Sequence, residues 1–214
     1  MGIKFIENTP EGKLGFWEIN ETTEQLMALL CPKDEELGIY LQFKNELRKK
    51  EWLAVRLLLK QMTGSSASIT YDPAGKPLLM DLAGHISISH SSNCVVIYYC
   101  LQHQPGIDIE LINRNVERVA RKFLSPTELS DCTFNGLLSN RDLMLRWCAK
   151  EAVFKMVPYA NVDFASQIFC VARPLKAANG GLTATFLKDE TMQEIWLHYR
   201  LVGEMLLVWG VYFT

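Results

Sequence analysis

The chain lacks the long apolar runs, the charge imbalance and the paired cysteines that mark several classes of protein. Its longest apolar stretches, such as Met205 to Phe213, fall short of the roughly 17–25 residues that a membrane-spanning helix needs. The start has no cationic segment followed by an apolar one, so no signal peptide is predicted. We therefore expect a cytoplasmic protein with no membrane partner.

Charge is nearly balanced, with 22 basic and 24 acidic side chains and a formal net charge of −2. This balance excludes a globally basic nucleic-acid binder, so no nucleic-acid partner is expected. Hydrophobic residues make up 49% of the 214 residues, which is typical of a globular protein. The length suits one large domain or two small ones.

None of the six cysteines forms a C-x-x-C pair, and the four histidines lack a metal-binding spacing such as H-E-x-x-H. Buried, reduced thiols are the expected state of the cysteines.

Apolar periodicity and turn residues predict a mixture of strands and helices. The polar segment 102–105 is the best candidate for a join, which gives an N-terminal half, 1–104, and a C-terminal half, 105–214. The predicted strands are 3–6, 14–19, 69–71, 86–89, 95–100, 107–111, 168–172, 182–187, 195–201 and 205–213. The predicted helices are 22–30, 34–62 with a break near Gly38, 116–123, one capped by Ser125, and 140–156, with further turns at Gly180-Gly181 and Gly203-Glu204.

Two carboxylates lie close together on the predicted strand 107–111. Alternation along a strand places Asp108 and Glu110 on one face and Ile107 and Ile109 on the other. Like charges this close repel unless solvent or a cation separates them. A solvated strand face is the alternative explanation for this D-x-E pattern.

The predicted helix 140–156 carries a second polar group. Trp147, Glu151 and Lys155 recur every fourth residue and share one face, with Lys150 at its border. The alternative here is a surface helix with a Glu151–Lys155 salt bridge, worth about 0.2–0.5 kcal/mol.

Together the two segments offer three carboxylates, whose oxygens are the ligands that Mg²⁺ prefers, with lysines beside them that could neutralise a phosphate. Such parts suit phosphoryl-transfer chemistry.

A cationic stripe lies on the predicted helix 34–62, because Lys44, Arg48, Trp52, Arg56 and Lys60 are spaced four residues apart. A solvated face is the alternative. Arg56 stands in an apolar context, where a lone charge is costly without an anionic partner.

Two further features precede the carboxylates. Gly75-Lys76-Pro77 is a turn with one lysine, and His90 follows a predicted strand and is flanked by serines. A histidine in such a position can donate to a phosphate, although a structural role is the commoner one.

The order G-K-P, I-S-I-S-H-S, G-I-D-I-E and W-x-x-K-E-A-x-x-K resembles the 4'-phosphopantetheinyl transferases, in particular their long, surfactin-synthetase-activating type. The segment E-W-L-A-V-R, which contains Arg56, also fits. The resemblance covers about Lys44 to Lys155. It implies an α+β fold of two similar pseudo-symmetric halves, with the active site at their interface.

The resemblance also implies a reaction: transfer of the 4'-phosphopantetheine arm of coenzyme A to a serine of a carrier protein, with release of 3',5'-ADP. The metal would be Mg²⁺, with Mn²⁺ as the alternative, held by Asp108, Glu110 and Glu151. Glu151 would also be the base, directly or through water, and Lys155 would stabilise the leaving oxygen. The implied contacts to coenzyme A are Lys44, Arg48, Arg56, Gly75, Lys76, Pro77, Ser89, His90, Lys150 and Lys155.

One departure concerns the segment after Lys155. Many members of the family carry glycines there, whereas this chain has M-V-P-Y-A-N-V-D-F at 156–164.

Charge placement suggests where a carrier protein binds. Arg114, Arg118, Arg121 and Lys122 are spaced so that they share a helical face, with Phe123 nearby. Because carrier domains of this class are typically acidic, we expect this face to be the docking surface. A solvated basic face is the alternative.

Two other functions remain open. The chain could be a non-catalytic module that binds coenzyme A or a nucleotide, or a Mg²⁺-dependent phosphohydrolase. Because 214 residues can hold both halves of one site, we expect a functional monomer.

Overall fold

The computed structural model describes residues 2–32, 34–172, 175 and 177–213. The chain divides into two units, 1–103 and 104–214. Each unit combines an antiparallel sheet with a long helix, and the predicted α+β class is confirmed. In the described part of the chain, no helix has both the length and the apolar character to cross a membrane.

The first unit is built around a four-stranded antiparallel sheet in the order β1-β2-β6-β5. Its longest helix, α3, packs against β2 and β6 and buries Leu53, Leu57 and Leu58. The two short strands β3 and β4 form a separate hairpin. The elements of this unit are β1 (Ile3–Asn8), β2 (Lys13–Glu18), α1 (Thr23–Leu30), α2 (Asp34–Tyr40), α3 (Glu46–Thr63), β3 (Ser68–Tyr71), β4 (Pro77–Met80), β5 (His85–Ser91) and β6 (Cys94–Cys100).

The second unit is built around a five-stranded antiparallel sheet in the order β10-β11-β12-β13-β7. Its long helix α6 packs against β7 and β13. The elements of this unit are β7 (Gln104–Leu111), a 3₁₀ turn (Glu117–Val119), α4 (Ala120–Phe123), α5 (Pro126–Asp131), β8 (Thr133–Phe134), β9 (Leu137–Leu138), α6 (Asn140–Met156), α7 (Phe164–Gln167), β10 (Ile168–Val171), β11 (Asn179–Lys188), β12 (Thr191–Val202) and β13 (Met205–Tyr212).

The ends of α6 are defined by local features of the sequence. Ser139 caps the start of the helix by accepting from the amide of Asp142. The helix ends at Met156, ahead of Pro158, as the sequence predicts. The predicted cap of α5 by Ser125 is also present, and it is part of a capping box in which Ser125 and Glu128 are bonded reciprocally.

A glycine allows α6 to lie close to β7. A Cβ atom added at Gly106 would stand 2.1 Å from the carbonyl oxygen of Ala152, which is backbone and cannot move aside cheaply. The absence of a side chain at Gly106 therefore brings the strand that carries Asp108 against the helix that carries Glu151.

The predicted helix 34–62 is wrong in one respect that matters for the site. The chain forms two helices, α2 and α3, and residues 41–45 separate them. Asn45 is the N-cap of α3, because its side chain accepts from the amide of Arg48. Lys44 therefore precedes the helix and does not belong to a continuous stripe with Arg48 and Arg56.

Three other expectations need correction. Gly180 and Gly181 lie within β11, and the chain turns instead at Asp189 and Glu190, which have positive φ angles. Residues 116–123 form a 3₁₀ turn followed by the four residues of α4, so they do not present one regular helical face. The six cysteines are all free, but Cys31 is exposed and only the other five are buried.

Candidate active site

The carboxylates of β7 face the long helix of their own unit. Asp108 and Glu110 pair in register with Val208 and Leu206 of β13, and Asp108 is 5% exposed. The Lys155 ammonium on α6 donates to Asp108 Oδ1 at 2.7 Å and to the carbonyl oxygen of Ile107 at 3.0 Å. The alternative of a solvated strand face is therefore wrong for Asp108, and the alternative Glu151–Lys155 pair is replaced by a Lys155–Asp108 pair.

Glu151 lies one helical turn before Lys155 and is electrostatically coupled to β7. Burial raises the pKa of Glu151 above its ordinary value, the charge on Asp108 raises it further, and Lys155 lowers it. Glu110 also raises this pKa. Three carboxylates thus act on one another through partly buried space, where repulsion is screened less than in water.

Glu110 has a cationic partner of its own. Arg114, four residues further along the chain, forms an ion pair with the Glu110 carboxylate. Arg114 was expected on the docking surface, but this pair assigns it to the carboxylate cluster. Phe123, also expected there, is 2% exposed and packs edge-on against Trp147, so it offers no surface to a partner.

The donor chemistry of the cluster fits a divalent cation. Asp108, Glu110 and Glu151 supply hard oxygen ligands, and their mutual repulsion would be relieved by positive charge. Among the residues that the structure describes, no three His, Cys, Asp or Glu side chains are already arranged as a metal site. Lys155 and Arg114 pair with the carboxylates here, so metal binding requires these pairs to open.

Lys150 does not face this cluster. Its side chain is 0% exposed and its ammonium donates to Glu128 Oε2 at 2.8 Å, to the carbonyl oxygen of Phe164 at 2.8 Å and to that of Ile168 at 2.5 Å. An ammonium has three donors, and these three acceptors occupy them all. The predicted contact between Lys150 and a phosphate is therefore wrong in this structure.

The first unit contains a separate cluster of polar groups on α3 and β5. Arg48 approaches His90 Nε2 at 2.5 Å and pairs with Glu51 Oε2 at 3.2 Å, while His90 Nδ1 lies 3.1 Å from Glu51 Oε1. Burial alone would raise the pKa of Glu51, but hydrogen bonds and charge from His90 and Arg48 hold it below the ordinary value. A buried carboxylate thus fixes two half-exposed groups that can bind an anion.

Arg56 is placed differently from Arg48. It is 5% exposed, its Nε donates to Glu36 Oε1 at 3.0 Å, and its guanidinium lies 3.4 Å from the centre of the Trp52 ring. The sequence required an anionic partner for this charge, and Glu36 supplies it within the chain. The predicted role of Arg56 in binding a phosphate is not needed to explain its burial.

The Gly75-Lys76-Pro77 turn joins β3 to β4. Asp72 Oδ1 accepts from the amides of Ala74 at 2.9 Å and Lys76 at 2.8 Å, and Gly75 has a φ of 84°. Such a turn is favoured by Asp at its start and glycine at the left-handed position. Burial lowers the pKa of Lys76 from its ordinary value.

The structure adds two residues that the sequence prediction missed. Glu51 anchors Arg48 and His90, and Glu128 holds Lys150. A local signal existed for each: Glu51 lies three residues after Arg48 on a helix, and Glu128 is the third helical residue after the N-cap Ser125 in a capping box. Neither signal reveals the partner that lies far away in the sequence.

Comparison with known proteins gives two matches. Residues 104–204 match the model of the 4'-phosphopantetheinyl transferase superfamily. The chain is also similar to the 4'-phosphopantetheinyl transferase Sfp of Bacillus subtilis (strain 168), with 28% identity over 143 residues. The similarity to the superfamily is thus carried by the segment 104–204.

The superfamily match covers the carboxylate cluster completely. Asp108, Glu110, Glu151 and Lys155 all lie within residues 104–204, whereas Arg48 and His90 lie outside this range. The similarity to the Bacillus protein spans 63% of this chain and 63% of that protein.

The raised pKa of Glu151 predicts how the free energy of unfolding of the metal-free protein depends on pH. A carboxyl whose pKa is raised by folding costs stability once it ionises, and the cost grows as the pH rises from the ordinary value of 4.5 through the raised one. Glu151→Gln should therefore raise the free energy of unfolding at pH 7 more than at pH 4.5. Urea unfolding with a chelator present measures this.

The matched control is Glu117→Gln, which neutralises an exposed carboxylate of the same unit. It should leave the free energy of unfolding within about 0.5 kcal/mol at both pH values. A Glu151→Gln protein that is no more stable than the wild type at pH 7 would contradict the conclusion that the ionised Glu151 destabilises the fold.

Proposed function

We propose that this protein transfers the 4'-phosphopantetheine group of coenzyme A to a serine hydroxyl of a carrier protein and releases 3',5'-ADP. The observation that carries the proposal is the coupled cluster of Asp108, Glu110, Glu151 and Lys155 inside the segment that matches the superfamily. A protein that only binds a nucleotide has no need of three carboxylates and a lysine in one cluster.

The carboxylates are proposed to hold Mg²⁺ when coenzyme A is bound. Asp108, Glu110 and Glu151 would be its protein ligands, with Mn²⁺ as the alternative metal. Bound Mg²⁺ would supply a positive charge that stabilises the negative charge of the diphosphate.

Glu151 is the proposed base. Its carboxylate is only partly buried, so a substrate hydroxyl or a water can approach it, and a carboxylate can act as a general base. It takes the serine proton, directly or through water, as the serine oxygen bonds to the phosphorus on the pantetheine side. The bond from that phosphorus to the bridging oxygen breaks, and this oxygen leaves with 3',5'-ADP.

Lys155 is proposed to stabilise that leaving oxygen. Its ammonium is 26% exposed and now holds Asp108. A lysine in this position can turn from a carboxylate to the oxygen on which negative charge develops.

The first unit is proposed to bind the 3'-phosphate of coenzyme A through Arg48 and His90. Both groups are partly exposed, and both are held by Glu51. Lys76, in its ordered turn, and Ser89, next to His90 on β5, remain proposed contacts to the same nucleotide.

The carrier protein is proposed to dock at the basic residues that follow β7. Arg118, Arg121 and Lys122 are exposed on the 3₁₀ turn and α4. Their positive charge complements an acidic carrier.

The transfer assay tests the proposed function and separates it from its alternatives. The protein is incubated with coenzyme A, Mg²⁺ and an unmodified carrier protein, and the carrier is then weighed by mass spectrometry. We expect a modified carrier and 3',5'-ADP. An unmodified carrier with released 3',5'-ADP would instead indicate a phosphohydrolase, and coenzyme A binding without either product would indicate a binding module.

Asp108→Ala should abolish turnover in this assay, because it removes both a metal ligand and the partner of Lys155. The control is Asp189→Ala, which removes a carboxylate that is 85% exposed in a turn and should leave the rate unchanged. Full activity of the Asp108→Ala protein would overturn the assignment of the carboxylate cluster.

Glu51→Gln should weaken the binding of coenzyme A by about tenfold, because it removes the charge that orients Arg48 and His90. Binding of dephospho-coenzyme A, which lacks the 3'-phosphate, should change little. Isothermal titration of both ligands measures the two dissociation constants.

Glu46→Gln is the control on the same helix, because its carboxylate is 60% exposed. It should leave both constants unchanged. An equal loss for the two ligands in Glu51→Gln, or tighter binding of coenzyme A, would show that Glu51 does not support recognition of the 3'-phosphate.

The docking proposal is tested by reversing two charges. Arg118→Glu with Arg121→Glu should raise the KM for the carrier about tenfold or more at low salt and leave coenzyme A binding intact, because charge reversal repels an acidic partner. The control reverses Lys4 and Lys188, which are surface lysines on other elements. Unchanged carrier kinetics in the Arg118/Arg121 variant would rule the surface out.

A further inference from the structure

Lys150 and Glu128 form a buried pair that connects four elements of the second unit. The Lys150 ammonium, on α6, bonds to Glu128 on α5, to the carbonyl oxygen of Phe164 on α7 and to that of Ile168 on β10. The side chains of Lys150 and Glu128 are 0% and 5% exposed. Water therefore does not compete for these bonds.

Glu128 is bonded on both of its oxygens. Oε2 accepts from the amide and the hydroxyl of Ser125, each at 2.9 Å, in addition to Lys150. Oε1 accepts from the amide of Cys170 at 2.8 Å. The same carboxylate thus caps α5, holds β10 and receives the lysine of α6.

These bonds also affect the partly exposed side of α6, which carries Glu151 and Lys155. Lys150 immediately precedes Glu151, so bonds that fix the position of Lys150 also fix the rotation of the helix that presents Glu151 and Lys155. The bond to the carbonyl oxygen of Phe164 also holds the wall of a cavity. The Phe164 ring packs against Phe154, and both residues line this open cavity of about 460 Å³.

We propose that Lys150 is a positioning residue, which sets the orientation of Glu151 and Lys155 and the wall formed by Phe164 without touching coenzyme A. The proposal rests on the proposed transfer function. A buried ion pair contributes little stability compared with apolar residues of the same size. Its directional bonds to fixed acceptors nevertheless define one arrangement of α5, α6, α7 and β10.

The first variant is Lys150→Met. It leaves the Glu128 charge buried without its cation and frees the carbonyl oxygens of Phe164 and Ile168. We expect kcat to fall about 100-fold, as for a small displacement of reacting groups. The dissociation constant of coenzyme A should change less than about threefold, which is under 0.7 kcal/mol by the tenfold rule of 1.4 kcal/mol.

The second variant, Lys150→Gln with Glu128→Gln, keeps the proposal testable if the first does not fold. It removes both charges but retains donors toward the carbonyls and an acceptor for the capping box, where glutamine also serves. We expect kcat to recover to within about tenfold of the wild type, in proportion to restored geometry. The control, Lys188→Gln with Asp189→Asn, neutralises a surface pair and should change neither kcat nor coenzyme A binding.

Hydrogen exchange of residues 163–170 supplies a readout that does not depend on catalysis. Exchange at the Gln167 amide, which donates to the carbonyl oxygen of Asp163, should quicken in Lys150→Met and slow again in the double glutamine variant. If the wild type fails to modify a carrier, the proposed function fails, while this measurement still reports whether Lys150 holds the segment.

Three results would overturn the proposal. One is a folded double glutamine variant that binds coenzyme A at least about tenfold more weakly than the wild type, because Lys150 would then act through its charge on a phosphate. Another is a Lys150→Met protein with the wild-type kcat. The third is unchanged exchange at 163–170 in Lys150→Met.

Discussion

The close contact between α6 and β7 is the constraint on which the second unit depends. Gly106 has no side chain, so the backbone of β7 approaches the carbonyl oxygen of Ala152 to a distance that a Cβ atom would forbid. At that distance Lys155 reaches Asp108, and the charges on the strand carboxylates raise the pKa of Glu151. The packing of a helix on a strand thus creates the electrostatics of the site.

Two lysines on the same helix show how burial separates structural from chemical roles. Lys150 is buried, and all three of its donors meet protein acceptors. Lys155 is partly exposed and pairs with the carboxylate of Asp108. A charge that is fully satisfied inside the protein is expensive to move, while a partly exposed pair can exchange partners at small cost. The second kind suits a group that must meet a substrate.

The arginines of α3 follow the same rule. Arg56 lies in the core with Glu36 and the Trp52 ring, whereas Arg48 is half-exposed beside His90. Their shared spacing in the sequence suggested one cationic stripe. Arg56 is buried against the Trp52 ring, whereas the Arg48 side chain is 43% exposed.

Much of the fold followed from local patterns in the sequence. The strands around residues 3–6, 95–100 and 205–213 and the helix 140–156 were predictable, since alternation, helical periodicity and caps are local properties. Predictions failed where the signal was weak or misleading. The short β8–β9 hairpin was missed, Gly180-Gly181 was taken for a turn, and the break between α2 and α3 was misplaced.

The sequence by itself determined which chemical groups the protein can offer: Asp108 and Glu110 on one face of a strand, and Glu151 and Lys155 on one face of a helix. Only the tertiary structure decided which of the charged groups are paired with other groups inside the protein. The partner of Lys150 comes from 22 residues away and that of Asp108 from 47. Hydrogen-bond satisfaction depends on such distant contacts, and no local periodicity reports them.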